Sequence, residues 1–394
     1  MKTYDWIVIG GGITGAALSY ELAKVGLTVL LVEQDASPQN ATRYSYGGIA
    51  YWSGTDALTR QLYAEGISRY RVLSQELETS TQFRELDLLL TIDLDEDPQK
   101  AIASYSKFAI QPQFLSVAEA CDLEPLLNPA AIAGALIVKH GNVRPEIITS
   151  AYIQAFMRVG GYKQIEQVTG LLRQNRRITG ITTNSQQYCS SNVVICAGAY
   201  SRALLQAAGM PVKLYFTHAE LIEIPACDVQ MRSQVMPAKM KWFDLEAESS
   251  TAAKEQLWHE PDREISPPII DAGAVQFIDG SLRLGQLSRA ISNPNAKIDA
   301  NKSEAAIRAS IGRILPKLAN LSGKWHHCLV AFGCDRLPLI GTIPGYENIH
   351  LFSGFSSPFA TVPALAPRFA QWAIGKDDEV INQLLINKTS GISP

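Results

Sequence analysis

Hydrophobic and polar positions follow two different periods along this chain. Trp6, Ile7, Val8 and Ile9 form an unbroken apolar run ending at Gly10. Residues 13–25 carry apolar positions at helical spacing with small residues first, and 27–33 is a second apolar run ending at Glu33. Runs that are apolar at every position suit strands covered on both faces, so the opening predicts a β-α-β unit of a parallel sheet. Residues 55–77 predict a long amphipathic helix, started by Ser53-Gly54-Thr55-Asp56, with Leu58, Leu62, Ile67, Tyr70 and Leu73 on one side. From 86 to 139 short strands and a helix over 98–110 alternate with Pro and Asn turns, a texture that marks a change of domain. A helix over 146–159 and β-rich stretches to 183 then lead to the apolar run 192–198, whose simplest place is the first sheet.

Further on, 214–224 and 276–288 predict antiparallel strands, the second broken by Asp279-Gly280, a two-residue hairpin signal. Between them 239–268 is charged and irregular, a surface excursion or lid whose role cannot be read from the pattern. Residues 302–315 predict a helix, 326–332 and 349–353 strands, and 361–374 a helix with Pro363 in its first turn. No internal repeat is present.

A length of 394 residues predicts two domains, at about 150 residues each. With 46% hydrophobic and 19% charged residues, disordered and fibrous classes are excluded. A net charge of -3 with no basic cluster longer than Arg176-Arg177 argues against nucleic acid as a partner. Six cysteines without a C-x-x-C pair exclude zinc ribbons, thioredoxin-like chemistry and a disulfide scaffold, and no metal site is expected. No apolar run reaches the roughly 18 residues of a transmembrane segment, and the first six residues lack the basic start of a signal peptide, so a cytoplasmic chain is expected.

The chemistry begins at Gly10-Gly11-Gly12-Ile13-Thr14-Gly15, a G-x-G-x-x-G motif between strand and helix. Its first glycine makes the turn, its second admits a pyrophosphate, and its third lets helix pack on strand, with the anion at the helix N-terminus. Glu33 ends the second strand about 20 residues on, where an acid accepts from a ribose 2′-hydroxyl and repels a 2′-phosphate. NAD and FAD share this opening. No second G-x-G-x-x-G and no redox cysteine pair follow, so electrons are expected from the substrate and not from a nicotinamide.

Four segments in this order resemble the FAD-dependent amine and amino-acid oxidase family of D-amino-acid, glycine and sarcosine oxidases. They are the opening unit; Arg43-Tyr44-Ser45-Tyr46-Gly47-Gly48-Ile49; Val193 through Gly198 to Ser201; and Asp335-Arg336-Leu337-Pro338-Leu339-Ile340-Gly341 followed by Ser353-Gly354-Phe355-Ser356. The resemblance covers essentially the whole chain. It implies a Rossmann-like α/β FAD-binding domain, discontinuous over 1–84, 141–210 and 322–394, and a second α+β substrate domain over 85–140 and 211–321 built on an antiparallel sheet. It implies FAD contacts from Gly10, Gly12, Ile13, Thr14, Gly15, Glu33 and Gln34. Arg43, Gly47, Gly48, Ile49, Val168, Ala197 and Gly198 would add to them, with Gly354, Phe355 and Ser356 beside the isoalloxazine.

The branch that clamps carboxylates through a Gly-Leu-Arg-Pro run is not matched, because residues 329–335 lack arginine. The sarcosine oxidase branch is nearer. Its Arg-x-x-Tyr-x-Glu-Gly run is matched at 60–66, which makes Arg60 either a carboxylate clamp or a solvated helix residue. Cys328 stands seven residues before Asp335, where that branch attaches its flavin; the alternative is a buried apolar filler. Arg283 replaces that branch's oxygen-assisting lysine or else faces solvent, and the branch's second carboxylate-binding lysine is absent near Thr361. His218 either lines the pocket or is an ordinary satisfied histidine, and the adjacent His326 and His327 point to opposite faces. The expected reaction is oxidation of the CH–NH bond of a small amino acid or N-alkyl amino acid by hydride transfer to flavin N5, the imine then hydrolysing, with oxygen or a quinone as electron acceptor. A same-fold dehydrogenase feeding a carrier and a non-catalytic flavin-binding sensor are the alternatives.

Overall fold

The chain builds two sheets by passing between them several times, as seen in the computed structural model, which describes residues 3–386. The outer ends of the expected FAD-binding segments, 1–2 and 387–394, lie outside the described residues. β1 (Thr3–Ile9), α1 (Ile13–Lys24) and β2 (Val29–Glu33) open the chain, followed by α2 (Ala41–Tyr44), β3 (Gly48–Ile49) and α3 (Ala57–Glu76). Next come β4 (Arg84–Asp93), α4 (Pro98–Ser104), β5 (Gln113–Leu115), α5 (Val117–Leu123) and β6 (Ile132–Asn142). The middle of the chain supplies α6 (Pro145–Arg158), β7 (Tyr162–Ile165), β8 (Val168–Gln174), β9 (Arg177–Thr183), β10 (Gln187–Ile195) and α7 (Tyr200–Ala207). After it lie β11 (Leu214–Ile224), β12 (Gln234–Pro237), α8 (Lys241–Ser249), β13 (Glu264–Gln276), β14 (Leu282–Ile291) and α9 (Ala300–Ile314). The chain finishes with β15 (Lys324–Gly333), β16 (Leu339–Thr342), β17 (Ile349–Ser353), α10 (Pro358–Ala373) and α11 (Glu379–Leu384).

The first sheet has the order β16-β17-β10-β1-β2-β7, with the β8–β9 hairpin attached through β9 to β10. Its strands from β17 to β7 are parallel, and β10 takes the expected place beside β1, with Ile7 opposite Val193. Period-two alternation divides its residues between two cores. Trp6, Val8, Val29 and Leu31 meet α1, α3, α6 and α10, whereas Ile7, Ile9, Leu30 and Val32 face the β8–β9 side and the start of β11.

The second sheet has the order β15-β11-β14-β13-β12-β4-β6-β3, with β5 on β6, and only β12–β4 is parallel. Two of its strands come from segments assigned above to the cofactor domain: β15 pairs with β11 along its length, and β3 pairs with β6. The segment from 322 thus lends a strand to the second sheet, because a short apolar run such as 328–332 pairs as readily in an antiparallel sheet as in a parallel one. β13 and β14 form the hairpin expected at Asp279-Gly280, with longer arms than the pattern gave. The helix expected over 98–110 stops at Ser104, and α10 begins at Pro358, so Pro363 lies in its interior together with Pro367.

The contact of α3 with α10 is tight enough to dictate residue type. A Cβ at Gly66 would stand 1.9 Å from the Ala360 carbonyl oxygen, a backbone atom that cannot rotate away. Helix propensity alone favours alanine over glycine by about 1 kcal/mol. Overpacking of this kind costs about 1–3 kcal/mol. Gly66→Ala is therefore expected to lower stability in urea unfolding, opposite in sign to the propensity effect.

Candidate functional site

A single cavity of about 1740 Å³ lies between the carboxyl edge of the parallel sheet and the face of the antiparallel one. This exceeds the ~300–1,000 Å³ of ordinary ligand pockets and leaves room for a dinucleotide and a second molecule. Its position outside the carboxyl ends of parallel strands is where doubly wound folds bind ligands.

One end is a cradle made by the β1–α1 turn. Gly10 has φ +105°, and a Cβ there would stand 2.6 Å from the Cys196 carbonyl oxygen. Gly15 stands behind the lining, where a Cβ would reach within 1.8 Å of the Gly10 oxygen. Gly10, Gly12, Ile13 and Thr14 line the cavity at the N-terminus of α1, and Thr42 accepts from the Ile13 amide at 3.1 Å. The Glu33 carboxylate, at the end of β2, accepts from the Gly11 amide at 2.6 Å and from the Asp35 amide at 3.1 Å, which fixes its orientation toward the lining. Gln34 and Val168 flank it, and Ala197 and Gly198 close the side formed by the end of β10. An open helix N-terminus, glycine-only clearances and an oriented acid fit the diphosphate and ribose of an adenine dinucleotide.

The middle of the cavity is lined by Gly48 and Cys328, with Gly354, Phe355 and Ser356 opposite the second sheet. Gly47 and Ile49 lie just behind: a Cβ at Gly47 would stand 2.0 Å from the Val143 carbonyl oxygen, and Ile49 is fully buried among α1, α3 and α6 side chains. Burial pushes the Cys328 thiol up to about 12, against the opposing charge of Arg283, so the residue is a neutral thiol near pH 7.

Besides Gly15, Gly47 and Ile49, four residues assigned above to cofactor or substrate lie outside this lining. Arg43 makes a bidentate pair with Glu223 at 2.8 and 2.9 Å and stands 3.3 Å from Glu146. Arg283 is fully buried, 3.1 Å from Glu146 and 3.2 Å from Glu223, and donates to the Ser45 carbonyl. A buried guanidinium needs carboxylates within reach, and these two have them in Glu146 and Glu223. Arg60 is exposed on α3 and donates to the Lys107 carbonyl at 2.8 Å and to the Gly54 carbonyl at 3.4 Å. His218 faces away from the cavity that Thr217 and Ala219 line; its Nδ1 lies 2.8 Å from His327 Nε2, and burial together with His327 holds it down near 4. His326 stacks on Tyr44 and His327 on His218, so the two neighbours do turn to different surroundings.

The matched 60–66 run divides its work. Tyr63 lines the cavity, Glu65 pairs with Arg368 of α10 at 2.7 Å, and Gly66 permits the helix contact described above. Among the described residues no metal-ligand cluster exists, and no helix is long and apolar enough to cross a membrane.

The far end joins residues of α8, none of them singled out in the sequence, to Asp335 and Arg336 of the fourth family-like segment. α8 forms a wall with Trp242, Phe243, Asp244 and Glu246, and the loop after β15 brings Asp335 and Arg336. The wall lies inside 239–268, the stretch expected to be a surface excursion or lid. The legible signal was the helical spacing Trp242, Leu245, Glu246, Ser249, which sets a carboxylate on an inward face.

The sequence pattern of the FAD dependent oxidoreductase family matches residues 5–372. The chain belongs to that family. This oxidoreductase is accordingly an enzyme with FAD as its cofactor. It is 24% identical to a glycine oxidase from Pseudomonas aeruginosa over 382 residues, covering 94% of this chain and 95% of that one. Glycine oxidase from Geobacillus kaustophilus superposes with a TM-score of 0.78 at 18% identity over 96% of each chain. L-proline dehydrogenase from P. horikoshii superposes with a TM-score of 0.75 at 20% identity, over 97% of this chain and 96% of that one. At these identities the two superpositions establish a common fold.

The half-buried charge cluster of this oxidoreductase ties α2 and α6 to β11 and β14. Burial pushes the Glu223 carboxyl up, but hydrogen bonds and charge from Arg43 and Arg283 outweigh it and hold the group at about 2. A carboxyl depressed on folding adds stability above its unfolded value near 4.3, and that stability is lost as pH falls toward 2. Glu223→Gln is expected to cost roughly 2 kcal/mol at pH 7 after allowance for solvent screening. Its deficit against the parent in urea titrations should close between about pH 5 and pH 2.

Proposed function

We propose that this oxidoreductase oxidises the CH–NH bond of a small amino acid or N-alkyl amino acid. The observation that carries the reading is the continuity of one cavity from the dinucleotide cradle to a chamber under the antiparallel sheet, walled by aromatic rings, a carboxylic acid and an arginine. The likeness to glycine oxidase and to L-proline dehydrogenase, proteins named for a primary and a secondary amine, supports a substrate that carries a carboxylate beside an amine nitrogen.

The chain's own residues would divide the work by position. Glu33 and the α1 N-terminus hold the nucleotide, Gly48 and Cys328 approach the ring from one side, and Gly354, Phe355 and Ser356 from the other. Bound FAD supplies a two-electron acceptor. Thr217, Ala219 and Gly273 of the second sheet exclude water from above, so the protein's main contribution is a fixed distance and a dry site. The electrons pass on to oxygen or to a quinone or similar carrier, and oxygen uptake during turnover divides these acceptors.

Anaerobic mixing of the yellow protein with glycine, sarcosine, proline and D- and L-amino acids is expected to bleach the flavin band with at least one of them. Absence of bleaching across the panel with FAD bound would overturn the reading. Because Arg60 is engaged with backbone carbonyls outside the chamber, Arg60→Ala is expected to leave the substrate dissociation constant within about twofold of the parent. A tenfold weakening, read from the bleaching rate against substrate concentration, would restore Arg60 as the clamp.

A further inference from the structure

The chamber wall carries a carboxyl group and a guanidinium, neither of them in an ion pair among the described residues. Glu246 sits on α8 with 3% of its surface exposed, and its side chain has one direct partner among the described residues, the Ser356 hydroxyl at 3.4 Å. Its other carboxyl oxygen is without one. Ser356 belongs to the segment that lines the middle of the cavity, so Glu246 stands where chamber and cofactor channel join. Arg336, in the loop after β15, has φ +64°, and its guanidinium lies over the Phe243 ring at 4.5 Å from the centroid. It makes no ion pair or hydrogen bond among the described residues, and its charge reaches both Glu246 and Tyr63.

The wall is held in place from behind. Asp271 on β13 accepts from the Lys241 and Trp242 amides at 3.0 and 2.9 Å, capping the first turn of α8. Its two oxygens are thereby committed to the helix. The other titratable or charged groups sharing this part of the lining are Lys239, Asp244, Tyr63 and Asp335. β14 contributes Gly285 and Gln286, neither of them charged.

We propose that Glu246 binds the substrate's amine nitrogen and takes its proton while Arg336 holds the substrate's carboxylate, so that the chamber receives a zwitterionic α-amino acid, primary or secondary at nitrogen. The inference rests on the amine-oxidising reading given above and names the groups that would serve it. In the step, one N–H bond of the ammonium breaks, an O–H bond forms on the Glu246 carboxylate, and the electron pair stays on nitrogen; no oxidant or reductant is involved. The neutral amine that results can release a hydride from its neighbouring carbon, which an ammonium cannot.

The environment of Glu246 suits this exchange. Burial pushes its carboxyl up to about 8, against the Arg336 charge and the Ser356 hydrogen bond. An ordinary carboxylate, near 4.3, is far too weak a base to take a proton from an ammonium, whereas a group raised this far comes close to balance. Arg336 is likewise suited to its part, since a guanidinium resting on an aromatic face keeps its outer N–H groups free for a carboxylate.

The test uses the FAD-loaded protein and the amino acid that bleaches it fastest. Glu246→Gln keeps the volume and removes the proton acceptor. The expected result is a fall of about 100-fold or more in the anaerobic bleaching rate constant, within the range general-base removal commonly gives. The parent's rate should also rise with pH through about 8, a limb the glutamine variant lacks and Glu246→Asp retains in part. Arg336→Met is expected to raise the substrate dissociation constant at least tenfold with little change in the limiting rate, and Arg336→Lys to recover part of it. Acetate supplies a readout apart from turnover: its perturbation of the flavin spectrum should weaken in Arg336→Met and persist in Glu246→Gln. A glutamine variant that bleaches at the parent rate with the parent pH profile overturns the role of Glu246. Unchanged substrate and acetate binding in Arg336→Met overturns that of Arg336. Either result, with the parent still bleached, leaves amine oxidation standing, whereas a parent bleached by nothing removes the larger reading itself.

Discussion

The rest of the molecule depends on a close approach of backbone to backbone at the carboxyl edge of the parallel sheet. The β1–α1 turn is pressed against the end of β10 so that any side chain at Gly10 would meet the Cys196 carbonyl, and any at Gly15 would meet Gly10 itself. This contact fixes the position of the α1 N-terminus, and the Glu33 carboxylate holds the neighbouring amide of Gly11 from the other side. The backbone of the cradle is therefore positioned by contacts within the fold itself.

A second constraint joins the two sheets. Arg43 and Glu146 come from helices around the first sheet, Glu223 and Arg283 from strands of the second, and the three half-buried groups meet around the fully buried Arg283. Arg144 extends it to Asp279 at the β13–β14 turn. Buried charges of this kind seldom add much stability relative to apolar packing, but they penalise any slip that would leave one unpaired. Here the slip they oppose is displacement of the antiparallel sheet across the cofactor channel.

What could be read from the sequence follows from which signals are local. The glycine motif, the buried strands at 6–9 and 192–198 and the acid at Glu33 are consecutive or periodic patterns, and each stands where its pattern implied. The arginines were harder. A sequence shows that Arg43, Arg60 and Arg283 are cations but not which carboxylates or carbonyls lie opposite, and those partners come from 180 residues away for Arg43 and 137 for the Glu146 contact of Arg283. The partner of β15 was hidden for the same reason, since a strand's own residues carry no address for the strand that pairs with it. Glu246 escaped notice because a carboxylate in a charged stretch looks solvated until the helix is seen to turn it inward.

The hold of Asp271 on the first two amides of α8 bears on how the chamber discriminates among ligands. Two residues further along the same strand, Gly273 forms part of the cavity's roof, so wall and roof are fixed to one piece of backbone at a set separation. Such an arrangement ties the size of the chamber to the frame that bounds it. Any bulkier guest must be accommodated by side chains at the rim, and a change of diet in this scaffold calls for rewriting residues such as Trp242 and Phe243, not for loosening the frame that carries them.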